Sequence, residues 1–150
     1  MRFYAECLIP KNEQKLFWEI RKSIMSLPDV LDLGDNEAGE KTELSCHILS
    51  RAVAILFGLK YVDGKHLDLV EHSWVETSSG NIIDVYPVGA LGGPQFIDSH
   101  SQFIFKKREY VTLSKKDWGN RYEAMDNSPS FHHAINIVAD KLQQVMNRSS

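Results

Sequence analysis

The sequence predicts an α+β fold in a single domain over residues 1–150. Two helical stretches come first, short alternating strands fill the middle of the chain, and one more helix follows. Strands and helices are segregated rather than interleaved, which argues against a doubly wound parallel sheet. With 150 residues, 43% apolar and 25% charged, the chain can bury roughly two-thirds of its unfolded surface. One core suffices, and no internal repeat or low-complexity tract divides it.

Residues 3–9 have the composition of a short strand, stopped by Pro10. Leu16, Phe17, Ile20, Ile24 and Leu27 then recur at helical spacing, so an amphipathic helix is expected over Lys11–Leu27, ended by Pro28. Residues 29–41 carry Asp, Gly, Asn and Glu without periodicity and read as a loop. A second helix starts at Thr42 or Ser45, either of which can cap it, and runs to Phe57 on the apolar positions Ile48, Leu49, Ala52, Val53 and Leu56. Gly58 is its stop. Both starts place Cys46 in the first turn.

Strand patterns follow: Leu59–Val62, a turn around Asp63-Gly64, then Leu69–Glu76. The turn Ser78-Ser79-Gly80-Asn81 returns the chain as Ile82–Tyr86, which makes a β-hairpin. Gly89, Gly92, Gly93 and Pro94 form a loop, and Phe103–Phe105 and Tyr110–Leu113 suggest two further strands. The last helix covers Phe131–Met146, with Ala134, Ile135, Val138 and Leu142 among its inner residues, and Asn147–Ser150 is a frayed tail.

A net charge of −3 and a pI near 6.1 do not suit a nucleic-acid binder, which shows a basic stripe. The short basic runs Lys106-Lys107-Arg108 and Lys115-Lys116 read as solvated strand ends and turns. No apolar run approaches the ~20 residues that span a bilayer, and Met1–Glu6 lacks the apolar stretch of a signal peptide. A cytoplasmic protein without membrane or nucleic-acid partners is the expectation. Its two cysteines, Cys7 and Cys46, have no CxxC spacing and cannot supply a tetrathiolate zinc site. Cys7, in a short apolar strand, reads as structural.

The attacking form of cysteine is the thiolate, favoured by a helix N-terminus and by a neighbouring imidazole. Cys46 has the first. The hairpin can supply the second: a turn centred near Ser78-Ser79 sets Asp84 opposite His72, and facing residues lie with Cβ atoms roughly 4.5–5.5 Å apart. An aspartate there orients the ring and stabilises its protonated form. Cys46, His72 and Asp84 thus make a candidate catalytic triad.

His72-Ser73-Trp74-Val75-Glu76, a short turn and Ile82-Ile83-Asp84-Val85-Tyr86-Pro87 resemble the His-x-Trp-Val-Glu … Asp-Pro-Thr segment of transglutaminase-like, papain-fold proteins. The resemblance covers about residues 42–88, in the family's chain order Cys, His, Asp. It departs where the family often has Gly-x-Cys, here Leu44-Ser45-Cys46, and where Val85-Tyr86-Pro87 replaces Pro-Thr. It implies a papain-like core with a nucleophile helix packed on an antiparallel sheet. It also implies a cysteine hydrolase or acyltransferase acting on an amide bond of a protein or peptide: peptidase, amidase, glutamine deamidase or transglutaminase. No cofactor is needed for that chemistry.

Each residue also has a plainer reading. Cys46 can be a small buried hydrophobe, and the fold can serve as a non-catalytic protein-binding module. His47 points about 100° round the helix from Cys46, at the surface or in support of the site. Trp74 reads as packing beside the site or as a wall to substrate, and Gly92 and Gly93 as shaping substrate entry or as a plain connector. Cys46, His47, His72 and Asp84 are all metal-ligand types, but no metal-site spacing joins them.

Overall fold

The computed structural model describes residues 9–66, 70–86, 93–98, 110–112 and 124–148. The expected strands at 3–9 and 103–105, Cys7, Gly89, Gly92 and both basic runs lie wholly or almost wholly outside them.

Helix α1 is Lys11–Met25, with Pro10 in front of it and Phe17, Ile20 and Ile24 on its buried face. It ends before Leu27: Ser26 caps it, its hydroxyl bonding the Lys22 carbonyl at 2.7 Å. Helix α2 is Cys46–Phe57. Ser45 is the cap, its backbone extended and its Oγ accepting the Ile48 N–H at 3.3 Å, and Gly58 closes the helix at φ 67. Thr42 is therefore outside the helix. The final helix, α3, is Pro129–Arg148 and buries Ala134, Ile135, Val138 and Leu142 against α2.

Five strands, β1 (Lys60–His66), β2 (Val70–Glu76), β3 (Ile82–Asp84), β4 (Gln95–Ile97) and β5 (Tyr110–Thr112), form one antiparallel sheet in the order β4-β3-β2-β1-β5. The molecule is thus α+β. Side chains of the strands divide between two clusters, as period-2 alternation requires. Val75, Ile83 and Phe96 join the main core with the helices, while Val62, Trp74, Ile82, Ile97 and Tyr110 make a smaller one.

Two local expectations are corrected. Asp63-Gly64 is no turn: both lie inside β1, opposite Ser73 and His72. A Cβ on Gly64 would collide with Trp74 Cη2 and the Val111 carbonyl oxygen, so this glycine serves a close approach rather than a reversal. The hairpin turn is also centred one residue later than expected, giving Val75↔Ile83 and Glu76↔Ile82. The shift moves the pairing by two residues, which preserves parity and keeps His72 and Asp84 on one face.

The hairpin tip docks on α1 through Glu13, 3% exposed, which accepts from Asn81 Nδ2 at 3.0 Å. Burial pushes this carboxyl up, but hydrogen bonds from Ser79, Thr77 and Asn81 outweigh it and leave it below the ordinary range. Among the described residues no helix is long and apolar enough to cross a membrane.

Candidate active site

Cys46 is the first residue of α2 and a free, partly buried thiol. Its position follows from Ser45: the cap fixes where the helix begins, so the sulfur is carried on the turn where the helix dipole is positive. α2 packs along β2, which carries His72. Pairing of β2 with β3 is confined to Val75 and Glu76. His72 and Asp84 lie beyond those rungs, where side chains rather than backbone link the strands.

The link is direct. His72 Nε2 lies 2.9 Å from Asp84 Oδ2. Tyr110 on β5 donates its hydroxyl to the same oxygen at 2.8 Å. Asp84 Oδ1 is buried and has no hydrogen-bond partner among the described residues. With Nε2 committed to Asp84, Nδ1 is the ring atom left for the thiol.

The electrostatics follow from these contacts. Burial pushes the Cys46 thiol up, but hydrogen bonds with His47 and His72 and their positive charge outweigh it and bring it down to about 6. Burial would lower His72, yet Asp84 and Cys46 hold its proton and raise it to about 10. Near neutrality the pair is thiolate and imidazolium.

Trp74, 1% exposed, packs behind His72 at 6.1 Å between ring centroids and offers no surface to a bound molecule. Gly93 is buried at φ 99 against α1; a Cβ there would stand 2.9 Å from Met25 Sδ. Two residues on, Gln95 pairs with Asp84. A cleft of about 530 Å³ lies beside Ile24, Met25 and residues 41–44, the segment that leads into Ser45 and Cys46. Gly92 is outside the described residues.

Some of the surrounding groups escaped the sequence. Tyr110 read only as a strand residue. His47 is buried at 8% exposure, not at the surface, and its Nδ1 lies 2.6 Å from Ser73 Oγ. Ser73 in turn donates to Asp63 Oδ1 at 2.5 Å, and Arg51 grips both Asp63 oxygens at 3.0 and 2.7 Å. The one available signal was Arg51 itself, the one Lys, Arg, Asp or Glu of the helix, four residues after His47.

The chain matches no protein-family model, no curated protein and no solved structure with which it was compared.

Proposed function

We propose that the protein is a cysteine-dependent acyl-transfer enzyme on a papain-like, transglutaminase-type core, acting on an amide bond of a protein or peptide. The Cys46 thiolate attacks the carbonyl carbon, and the Cys46 backbone N–H at the helix N-terminus donates to the developing oxyanion. The imidazolium of His72 gives its proton to the leaving nitrogen as the C–N bond breaks, which leaves a thioester on Cys46 and a neutral ring. His72 then takes a proton from water or an amine, whose attack releases the acyl group and restores the thiolate. Water makes the enzyme a peptidase, amidase or deamidase; an amine makes it a transglutaminase. Asp84 keeps the ring in place and stabilises its charge throughout. A reducing compartment such as the cytoplasm suits a working thiolate.

The observation that carries this proposal is the 2.9 Å His72–Asp84 bond beside a thiol on the first residue of a helix. The test is the pH-dependence of Cys46 alkylation by iodoacetamide in wild type and His72→Ala, mapped by peptide mass with Cys7 as the second thiol. Labelling that is fast well below pH 8 and slowed in His72→Ala is expected. An ordinary thiol profile in both proteins would favour a non-catalytic binding module instead.

A further inference from the structure

The cleft of about 530 Å³ at the end of α1 lies beside the segment that carries the nucleophile, and the chemistry above makes no use of it. We propose that it is a substrate subsite: it takes a large apolar side chain of an extended peptide, two or three residues from the reacting bond, while the backbone of residues 43–45 pairs with that peptide as an added strand. This rests on the acyl-transfer proposal and names the substrate class for it.

The lining selects the side chain. Ile24, Met25, Leu27, Val30, Leu31 and Leu44 line the cleft, which is of the size that holds small ligands. Met25 is 52% and Val30 86% exposed, so apolar surface is gathered in one concave place and left in water. Covering it with a leucine-sized group is favourable by the hydrophobic effect. At the rim the exposed Asp29, Lys41 and Glu43 supply two negative charges and one positive, which suits a neutral or basic peptide better than an acidic one.

The backbone beside the cleft supplies the other half. Upstream, Asp35 bridges Lys41, the Asn36 N–H donates to the Glu40 carbonyl at 2.7 Å, and the Thr42 N–H donates to the Gly34 carbonyl at 2.8 Å. Downstream, Ser45 is extended at φ −125 and ψ 165 and caps α2. Between these anchors Glu43 and Leu44 belong to no helix, turn or strand, and among the described residues they make no backbone hydrogen bond. Unpaired N–H and carbonyl groups on a held segment are what a peptide strand adds to. Because the segment is fixed at both ends, binding need not order it.

Distance along the chain sets the register. Leu44 is two residues before Cys46 and Glu43 three, a span of at most ~7–11 Å. An extended peptide rises ~3.3 Å per residue. A side chain beside Leu44 or Glu43 therefore belongs to a residue two or three places from the carbonyl that the sulfur attacks.

The test is Cys46 labelling by short chloroacetyl peptides and peptidyl chloromethyl ketones, which carry the reactive carbon at the N- and C-terminal end respectively. Leucine or alanine stands two or three residues from that carbon. Each rate is divided by the rate with iodoacetamide, which removes any change in the thiol itself. In at least one series the leucine probes are expected to label roughly tenfold faster than the alanine probes, the scale of burying a leucine side chain. That preference is expected to fall severalfold in Val30→Asp and Leu44→Ser, and to persist in Ile55→Asp, where an exposed residue of α2 outside the cleft is changed. N-methylation of the leucine probe's backbone is expected to slow its labelling severalfold. Equal labelling by leucine and alanine probes in both series overturns the proposal, as does a preference that Val30→Asp and Leu44→Ser both leave intact. Val30 is at the surface, so its variant decides even where Leu44→Ser does not fold. A methylated probe as fast as its parent overturns the pairing with residues 43–45. Failure of the acyl-transfer reading is distinct from all of these, since it shows as an ordinary thiol profile with iodoacetamide alone.

Discussion

At the scale of single residues, the thiolate–imidazolium pair exists only over a window of pH. Cys46 gains its proton below about 6 and His72 loses its own above about 10. A bell-shaped kcat/KM profile is therefore expected, falling about tenfold per pH unit outside those limits; a profile rising monotonically to pH 11 would contradict it. Stability follows the same signs. The thiol is depressed on folding, so its contribution is present above its unfolded value and fades as pH falls through about 6. His72 is raised, so its contribution is full below its unfolded value and fades as pH rises through about 10. Tyr110→Phe removes one hydrogen bond to a buried carboxylate, worth ~1.5–3 kcal/mol for a charged partner. It is expected to lower the upper limb of the bell while far-ultraviolet circular dichroism stays unchanged. Cys46, His72 and Asp84 were legible because a cap, a turn and strand alternation are local signals. Tyr110 was not, because β5 reaches Asp84 only through the arrangement of the whole sheet; for His47 the choice between the surface and support of the site was not, because its partners Ser73 and Asp63 meet only once β1 and β2 pair.

Secondary elements show where local rules held and where packing overrode them. Helix α2 starts and stops where Ser45 and Gly58 dictate, since caps act within one turn. The Asp63-Gly64 pair carries turn chemistry and yet sits in mid-strand, because the Trp74 ring and the Val111 carbonyl occupy the space a side chain would need. Gly64→Ala is expected to cost about 1–3 kcal/mol or more through overpacking, read as a lower denaturation midpoint. A wild-type midpoint in that variant would mean that Trp74 and β5 can move apart freely. The hairpin tolerated a misplaced turn centre because a two-residue slip leaves every side chain on its own face; a one-residue slip would have separated His72 from Asp84.

Across the whole molecule, the loop before α2 is tied to the start of α3. Glu37 accepts from the Ser130 N–H at 3.1 Å and from the Ser128 and Ser130 hydroxyls at 2.7 and 2.5 Å. Those hydrogen bonds hold its carboxyl down to about 2. Glu37→Ala is expected to lower the melting temperature at neutral pH, with the gap from wild type narrowing as pH falls from the ordinary carboxylate range toward about 2; a pH-independent gap would assign the loss to something other than the carboxylate. The α+β class was legible from the order of periodicities, whereas this tie was not, since nothing local in the chain pairs residue 37 with residues 128 and 130. The distances along the chain have a consequence for how the protein is born. His72 and Asp84 are 12 residues apart and meet through a hairpin, which closes in roughly 1–10 μs. Cys46 becomes more than an ordinary thiol only when α2 docks on that hairpin. On the proposed acyl-transfer function, a nascent or misfolded chain therefore carries ordinary thiols, and the heightened reactivity of Cys46 begins with folding.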